Sequence, residues 1–198
     1  MNNQNLFDKY RDGNHWENHP TIYAQEFEKF LSDAFASKSM FSCFGITDLG
    51  CGNGRDVSYF QDMNRYAKGL DNNPQMIALA KETRPLYVRS FYLLDIEQLP
   101  FLDNSEDAYF CINVMHYVDQ QKVLSEIYRT LRPGGYAFIH FNLLIFDQNY
   151  SIDYHQKKSD VYELLKNFEI VEEKVFLRED SLPIPHTHHI MQVILKKN

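Results

Sequence analysis

The sequence has 198 residues, a formal net charge of −7 and three cysteines, and these properties exclude several classes of protein. The length suits one domain with a sizeable core. Without clustered Lys or Arg, an acidic chain is poorly suited to sequence-independent nucleic-acid binding. We expect neither a signal peptide nor a membrane span, because the first residues are polar and no stretch approaches about 20 apolar residues. Three widely spaced cysteines suit neither a disulfide framework nor a zinc ribbon, so we expect a cytoplasmic protein.

The first half of the chain predicts a helix followed by repeated strand–helix units. Pro20 suits the first position of a helix, and apolar residues follow it at three- and four-residue spacing. Residues 44–49 then predict a buried strand. A glycine-rich loop follows this strand, and a predicted helix begins at Arg55. Residues 66–71 predict a second strand, and Pro74 begins another helix.

The second half continues the alternation and then changes. Residues 88–95 and 107–115 are rich in aromatic and branched side chains and predict two strands. Asp119 suits a helix N-cap, and its helix ends near Pro133, before a fifth strand at 136–142.

The C-terminal segment predicts a helix over residues 161–168 and then two extended runs, 169–179 and 188–197. These features predict an α/β, Rossmann-like, doubly wound fold. Its sheet would be mostly parallel and seven-stranded, with one antiparallel edge strand and helices on both faces.

A glycine loop, DLGCGNGRD at residues 48–56, follows the first strand, and an aspartate ends each of the first three strands: Asp48, Asp71 and Asp95. Ligands of such sheets bind beyond the carboxyl ends of the strands. An isolated Asp is usually a cap or a loop acid, but three at successive strand ends indicate a ligand. A dinucleotide fits poorly, because Arg55 or Val57 occupies the place of the last glycine in G-x-G-x-x-G and because Asp48 would face a pyrophosphate.

S-Adenosyl-L-methionine fits better, because its ammonium and sulfonium are cationic and it carries no phosphate. The loop resembles the D-x-G-x-G-x-G motif of class I methyltransferases at every fixed position. The segments GLDNNPQM, LLDIEQLPF, CINVMHYV and LRPGGYAFI resemble later segments of that family, in order, so the resemblance covers about residues 44–142. It implies one methyltransferase domain, with a helical N-terminal lid at 1–40, a cofactor-binding core at 44–142 and a C-terminal helix and strand pair at 143–198.

The resemblance implies that the methionine end of the cofactor contacts Asp48 and the loop, and that Asp71 accepts the ribose hydroxyls. Asp95 and the Ile96 N–H would meet the adenine, and Met76 would pack on it. The cofactor-binding residues implied are Asp48, Gly50, Cys51, Gly52, Asn53, Gly54, Asp71, Asn72, Met76, Asp95, Ile96 and Asn113.

The sequence gives less information about the residues that would bind the methyl acceptor. Asn113 would line the methyl-transfer cleft, and His116 is the candidate general base, with a polar loop residue as the other interpretation. Tyr10 and Trp16 resemble the aromatic lid residues of small-molecule members, although the single Trp equally suits a core anchor. His188 is a candidate substrate contact.

His186 and His188 share one face of a predicted strand, which could supply two metal ligands. A third ligand is not evident in the sequence, so we expect no metal site.

Together these features predict a methyltransferase for a small-molecule acceptor, resembling the quinone-biosynthesis and tellurite-resistance group, with no nucleic-acid or membrane partner. The alternatives are an enzyme acting on protein or RNA, and a module that binds S-adenosylmethionine without turnover. An NAD-dependent oxidoreductase ranks third, because of the glycine spacing. The acceptor and the oligomeric state have no sequence signal.

Overall fold

Eight strands form one mixed sheet within residues 19–35, 44–149, 151–181 and 185–198, the parts of the chain that the computed structural model describes. The strands are β1 (Gly45–Leu49), β2 (Tyr66–Asp71), β3 (Phe91–Leu93), β4 (Glu106–Cys111), β5 (Leu131–Asp147), β6 (Ile152–His155), β7 (Glu169–Asp180) and β8 (His186–Lys196). The helices are α1 (Ile22–Phe35), α2 (Arg55–Asp62), α3 (Pro74–Thr83), α4 (Gln120–Thr130) and α5 (Lys158–Leu165). None of these helices is long and apolar enough to cross a membrane.

The strand order is β3-β2-β1-β4-β5-β8-β7, and the first five strands of this order are parallel. The predicted fold class is therefore confirmed. The antiparallel strand β8 lies between β5 and the edge strand β7 and pairs with both. The short strand β6 adds to the seven expected strands and pairs with the last residues of β5, beyond the end of β4.

Local chemistry explains where the elements begin and end. The Asn73 side chain accepts the Gln75 N–H at 2.9 Å and caps α3, whose first residue is Pro74. Asp119 caps α4 in the same way, as predicted. α1 begins two residues later than predicted, at Ile22, because the Thr21 hydroxyl accepts the Ala24 N–H at 3.1 Å.

Two predicted strands are shorter than expected. Residues 85–90 form a 3₁₀ turn, so β3 begins only at Phe91. β4 ends at Cys111, because the chain turns at Asn113, whose φ is +60°, and enters another 3₁₀ turn at Met115–Tyr117. This turn moves Asn113 and His116 out of the sheet and over the carboxyl ends of the strands.

The sheet is covered on both faces. Helices α4 and α5 bury Leu124 and Val161 on one face, and α1, α2 and α3 bury Phe27 and Phe60 on the other. The rings of Phe27 and Phe110 stack at 6.0 Å between centroids. Each fully buried ring of this kind stabilises the fold by about 1.5–3 kcal/mol. The core leaves the carboxyl ends of β1, β2 and β4 uncovered, and the cavity described next lies there.

Candidate functional site

The glycine loop after β1 has a backbone that other residues cannot adopt without strain. Gly50, Gly52 and Gly54 have φ values of +75°, +54° and +74°, a region in which only glycine is at ease. A Cβ atom at Gly50 would lie 2.2 Å from Val114 Cγ2, and one at Gly54 would lie 2.4 Å from the Phe91 ring. The alternating glycines therefore serve both the left-handed backbone and the close approach of neighbouring side chains.

Asp71, at the end of β2, holds the loop in place. Its Oδ2 accepts the Gly52 N–H at 3.1 Å, and its Oδ1 accepts the Asn73 N–H at 2.9 Å. Burial raises the pKa of this carboxyl group, and the two N–H donors oppose that shift. Each carboxylate oxygen has a second lone pair, so Asp71 can still accept hydroxyl groups from a ligand.

Asp48, at the end of β1, is the electrostatically least satisfied acid of the site. Only 4% of its surface is exposed, and no residue in the described parts of the chain donates a hydrogen bond to its carboxylate. Burial raises the pKa of Asp48 well above its usual range, and the nearby charges of Asp56 and Asp71 raise it further. A buried carboxylate without a donor is costly, and a cationic ligand in the cavity would remove that cost.

Asp56, at the start of α2, lines the same cavity but is satisfied within the chain. Its Oδ1 accepts the Thr21 N–H at 2.7 Å and the Thr21 hydroxyl at 3.1 Å. These two bonds connect the start of α1 to the glycine loop.

Most predicted cofactor residues line one cavity, together with two predicted acceptor-side residues. The predicted residues that line it are Asp48, Gly50, Cys51, Gly52, Asn53, Asp71, Asn72, Met76, Ile96, Asn113, His116 and His188. Cys51 is buried, and its side chain packs over Gly69, where a Cβ atom would lie 2.7 Å from it.

Four predicted residues are not placed in this lining. Gly54 directly precedes α2 and is not among the residues that line the cavity. Asp95 is exposed, and its Oδ1 accepts the Glu97 N–H at 2.9 Å, so its adenine contact stays a prediction. Tyr10 and Trp16 lie outside the described residues.

Arg178 and Asp180, near the end of β7, form the far wall of the cavity and were missed by sequence reasoning. Arg178 donates to both oxygens of Asp180, at 3.0 and 2.8 Å, and to Asn113 Oδ1 at 2.7 Å. Burial raises the pKa of Asp180, but the hydrogen bond with His188 and the charge and hydrogen bonds of Arg178 outweigh it and hold that pKa at about 2. No local spacing in the sequence points to Asp180, because it meets His186 only through the register of β7 and β8.

Asn142, on β5, joins two histidines of the cavity. Its Nδ2 lies 2.7 Å from His116 Nδ1, and its Oδ1 lies 3.0 Å from His188 Nδ1. An amide nitrogen only donates and an amide oxygen only accepts. His116 therefore accepts at Nδ1, whereas His188 carries a proton at Nδ1.

This arrangement bears on the candidate base. Burial, together with the charges of His188 and Arg178, lowers the pKa of His116 to about 3. With Nδ1 engaged by Asn142, the neutral ring carries its proton on Nε2 and is a hydrogen-bond donor on that side. The geometry weighs against a base role for His116, which stays a prediction to be tested.

Comparison with known proteins agrees with this site. Residues 47–139 match the family described as a methyltransferase domain. Over this part of its length the chain is similar to methyltransferase domains. The predicted resemblance to class I methyltransferases is thereby confirmed.

Two curated relatives show how far the similarity in sequence extends. The phthiotriol/phenolphthiotriol dimycocerosates methyltransferase of Mycobacterium tuberculosis is 36% identical over 94 residues, which are 46% of this chain and 35% of that protein. The malonyl-[acyl-carrier protein] O-methyltransferase of Pectobacterium atrosepticum is 34% identical over 92 residues, 46% of this chain and 35% of that protein. The chain thus spans about a third of the length of these relatives.

Solved structures share the fold of the chain over most of its length. The PH0226 protein of Pyrococcus horikoshii OT3 superposes with a TM-score of 0.65 at 20% identity, covering 96% of this chain and 99% of that one. TehB of Haemophilus influenzae gives a TM-score of 0.64 at 18% identity, covering 84% and 62%. At such identities the likeness shows the fold alone.

Proposed function

We propose that the protein is an S-adenosylmethionine-dependent methyltransferase that acts on a small-molecule acceptor. The observation that carries this proposal is a pair of acids beside the glycine loop, Asp48 at the end of β1 and Asp71 at the end of β2. Asp48 is buried without a donor among the described residues, and Asp71 keeps lone pairs for a ligand. A cofactor with a cationic amino acid end and a ribose suits this pair, whereas a pyrophosphate does not.

Different residues of the cavity would contact different parts of the cofactor. Asp48 would neutralise the ammonium group, and Asp71 would accept the ribose hydroxyls. Met76 and Ile96, both buried in the lining, would cover the adenine ring. Asp95, which precedes Ile96 in the chain and is exposed, would accept hydrogens of the exocyclic amino group. The bound cofactor would supply an electrophilic methyl group on a sulfonium leaving group.

The protein's contribution to methyl transfer would be to align the acceptor with the cofactor. Asn113 lines the cavity in a left-handed conformation, and Arg178 fixes its side chain, so that an acceptor beside it would meet a rigid wall. Holding two reactants in near-attack geometry can supply about 7–11 kcal/mol of a barrier. Tyr10 and Trp16 complete the proposal as residues that close over the acceptor.

Three features support a small acceptor, and a fourth supports a cytoplasmic location. The cavity has polar residues on its far wall, including Arg178 and His188. The net charge of −7 is unfavourable for nucleic acid. One protein of similar fold is the geranyl diphosphate C-methyltransferase of Streptomyces coelicolor A3(2), 12% identical with a TM-score of 0.62 over 88% of this chain and 77% of that one. Cys51 and Cys111 are buried free thiols, as suits a reducing compartment.

Incubation with S-adenosylmethionine labelled in the methyl group and a fractionated metabolite extract tests the proposal. We expect label to move into a low-molecular-weight fraction, and S-adenosylhomocysteine to bind with 1:1 stoichiometry in calorimetry while NAD does not bind. Label in protein or RNA would assign a different acceptor class. Tight NAD binding would overturn the proposal.

A further inference from the structure

Asp180, His186 and His188 form a cluster at the far wall of the cavity that the proposed transfer reaction does not explain. We propose that these three side chains bind one divalent transition-metal ion, and that its open coordination positions face the acceptor end of the cavity. Metal binding does not depend on the proposed function; the link to the acceptor does.

The sheet itself brings the three side chains together. In the β7–β8 ladder Asp180 lies directly opposite His186, and Arg178 lies opposite His188. Directly opposed residues share a face, and residues two apart on a strand share it as well. All four side chains therefore project from the same face, and Asp180 and His188 line the cavity.

The distances suit a shared ion. His188 Nε2 lies 3.3 Å and His186 Nε2 lies 3.8 Å from Asp180 Oδ2, and ligand atoms of all three residues lie within 4.8 Å of one another. Atoms bound to one Zn²⁺ at about 2.0–2.2 Å lie roughly 3.0–3.6 Å apart. The His188–Asp180 distance lies within this range, and the His186–Asp180 distance lies just above it.

The hydrogen bonds around His188 prepare it as a ligand. Its Nδ1–H donates to Asn142 Oδ1 at 3.0 Å, so the neutral ring turns the lone pair of Nε2 toward Asp180 Oδ2. Two acceptor atoms at this distance need a cation between them, either a proton or a metal. Metal-binding histidines generally donate their other N–H in this manner, which fixes the tautomer and the ring orientation.

The donor set selects the class of metal. Two imidazoles and one carboxylate favour Zn²⁺, Fe²⁺, Co²⁺ or Ni²⁺, whereas Mg²⁺ and Ca²⁺ prefer oxygen ligands alone. Arg178 is paired with Asp180 through two hydrogen bonds and already balances its charge. The ion would therefore keep most of its positive charge, and an anionic oxygen of the acceptor would be its natural further ligand.

A titration with metal alone tests the site. The full chain is stripped with a chelator and titrated with Co²⁺ and with Zn²⁺, using visible absorption and calorimetry. We expect one ion per chain, and a loss of affinity of more than about tenfold in His186→Asn and in Asp180→Asn, since even supporting residues of metal sites cost 10–100-fold.

His189→Asn is the matched control, because His189 is on the same strand and, being adjacent to His188, projects from the opposite face. Its metal affinity should equal that of the unmodified chain. Thermal unfolding and S-adenosylhomocysteine affinity, measured for every variant, separate loss of the metal site from loss of the fold or of the cofactor site.

Absence of 1:1 binding, or equal losses in His186→Asn and His189→Asn, would overturn the metal site and leave a hydrogen-bonded network. Acetohydroxamate, a bidentate oxygen anion, tests the open positions. It should change the absorption spectrum of the Co²⁺-loaded protein, and an unchanged spectrum would overturn the link to the acceptor.

Discussion

Gly52 donates its backbone N–H to Asp71 Oδ2 at 3.1 Å, so the glycine loop is attached to the end of β2 without any ligand. Asn73 donates to the other oxygen of the same carboxylate. The loop and the acid that would bind the ribose are therefore one unit. Preorganisation of this kind lowers the cost of binding, because fewer groups must be ordered by the ligand.

Replacing Asp71 should weaken cofactor binding strongly. Asp71→Ala removes an acceptor of two charged hydrogen bonds, each worth about 1.5–3 kcal/mol, so we expect a loss of S-adenosylhomocysteine affinity of at least tenfold by calorimetry. Asp153→Ala is the control, because Asp153 is exposed on β6 and does not line the cavity, and it should lose little. Equal losses in the two variants would contradict the placement of the ribose at Asp71.

Gly50 should tolerate alanine less well than another glycine of the same conformation. Gly50 and Gly134 have φ values of +75° and +77°. A Cβ atom at Gly134 meets nothing within 4 Å, whereas one at Gly50 lies 2.2 Å from Val114. We expect Gly134→Ala to cost about 1–2 kcal/mol of the free energy of unfolding, from the backbone alone, and Gly50→Ala to cost more.

Urea unfolding measures both variants, and a double variant identifies the cause. Val114→Ala removes the clashing methyl groups, so the pair Gly50→Ala, Val114→Ala should recover part of the loss through a favourable coupling energy. Strictly additive effects would show that the clash is relieved by movement of the loop instead.

The sequence predicted the glycine loop and the acids of β1 and β2 because these features are local. A run of alternating glycines after an apolar strand has few physical explanations, and Asp48 and Asp71 lie where each strand ends. The cofactor end of the cavity could therefore be predicted in most of its residues.

The acceptor end of the cavity could not be predicted, because it depends on contacts between segments that are distant in the sequence. Arg178 reaches Asn113 across 65 positions of the chain, and Asn142 reaches His188 across 46. No local spacing reports such contacts. The third group of the histidine cluster, Asp180, becomes visible only when the register of β7 and β8 is known.

His140 should make the stability of the protein depend on pH. Burial lowers its pKa to about 3. Its Nε2 lies 3.1 Å from Gln192 Oε1, and its Nδ1 has no hydrogen-bond partner in the described parts of the chain. A second proton on this ring would thus be buried without an acceptor, so the fold favours the neutral form.

The sign follows from this depressed pKa. Above about pH 6.5, the pKa of an unfolded histidine, the ring is neutral in both states and its contribution to stability is complete. As the pH falls from there toward 3, His140 is protonated in the unfolded chain but stays neutral in the folded one, so the free energy of unfolding decreases. The difference in unfolding free energy between the unmodified chain and His140→Gln should therefore shrink between pH 7.5 and 5, by at most about 1.4 kcal/mol per pH unit. A difference that is constant with pH would contradict the buried neutral ring.

His116 decides whether the site performs proton chemistry. As a general base it would contribute about 10²–10⁴-fold to the rate, but its Nδ1 is engaged by Asn142 and its pKa lies at about 3. We expect that His116→Gln, which keeps a side-chain amide near Asn142, lowers the turnover number less than tenfold, where about tenfold corresponds to 1.4 kcal/mol.

The pH profile gives the sharper measurement. If His116 stays neutral throughout the working range, the rates of the unmodified chain and of His116→Gln should follow the same profile between pH 5.5 and 8.5. Asn142→Asp tests the hydrogen bond, because an aspartate cannot donate to Nδ1 and would instead attract a proton onto the ring, raising the pKa of His116. In that variant the pH dependence of the rate should gain a limb, because His116 would then titrate within the measured range. Loss of 10²-fold or more in His116→Gln, together with disappearance of a limb that the unmodified chain shows, would restore His116 as the base.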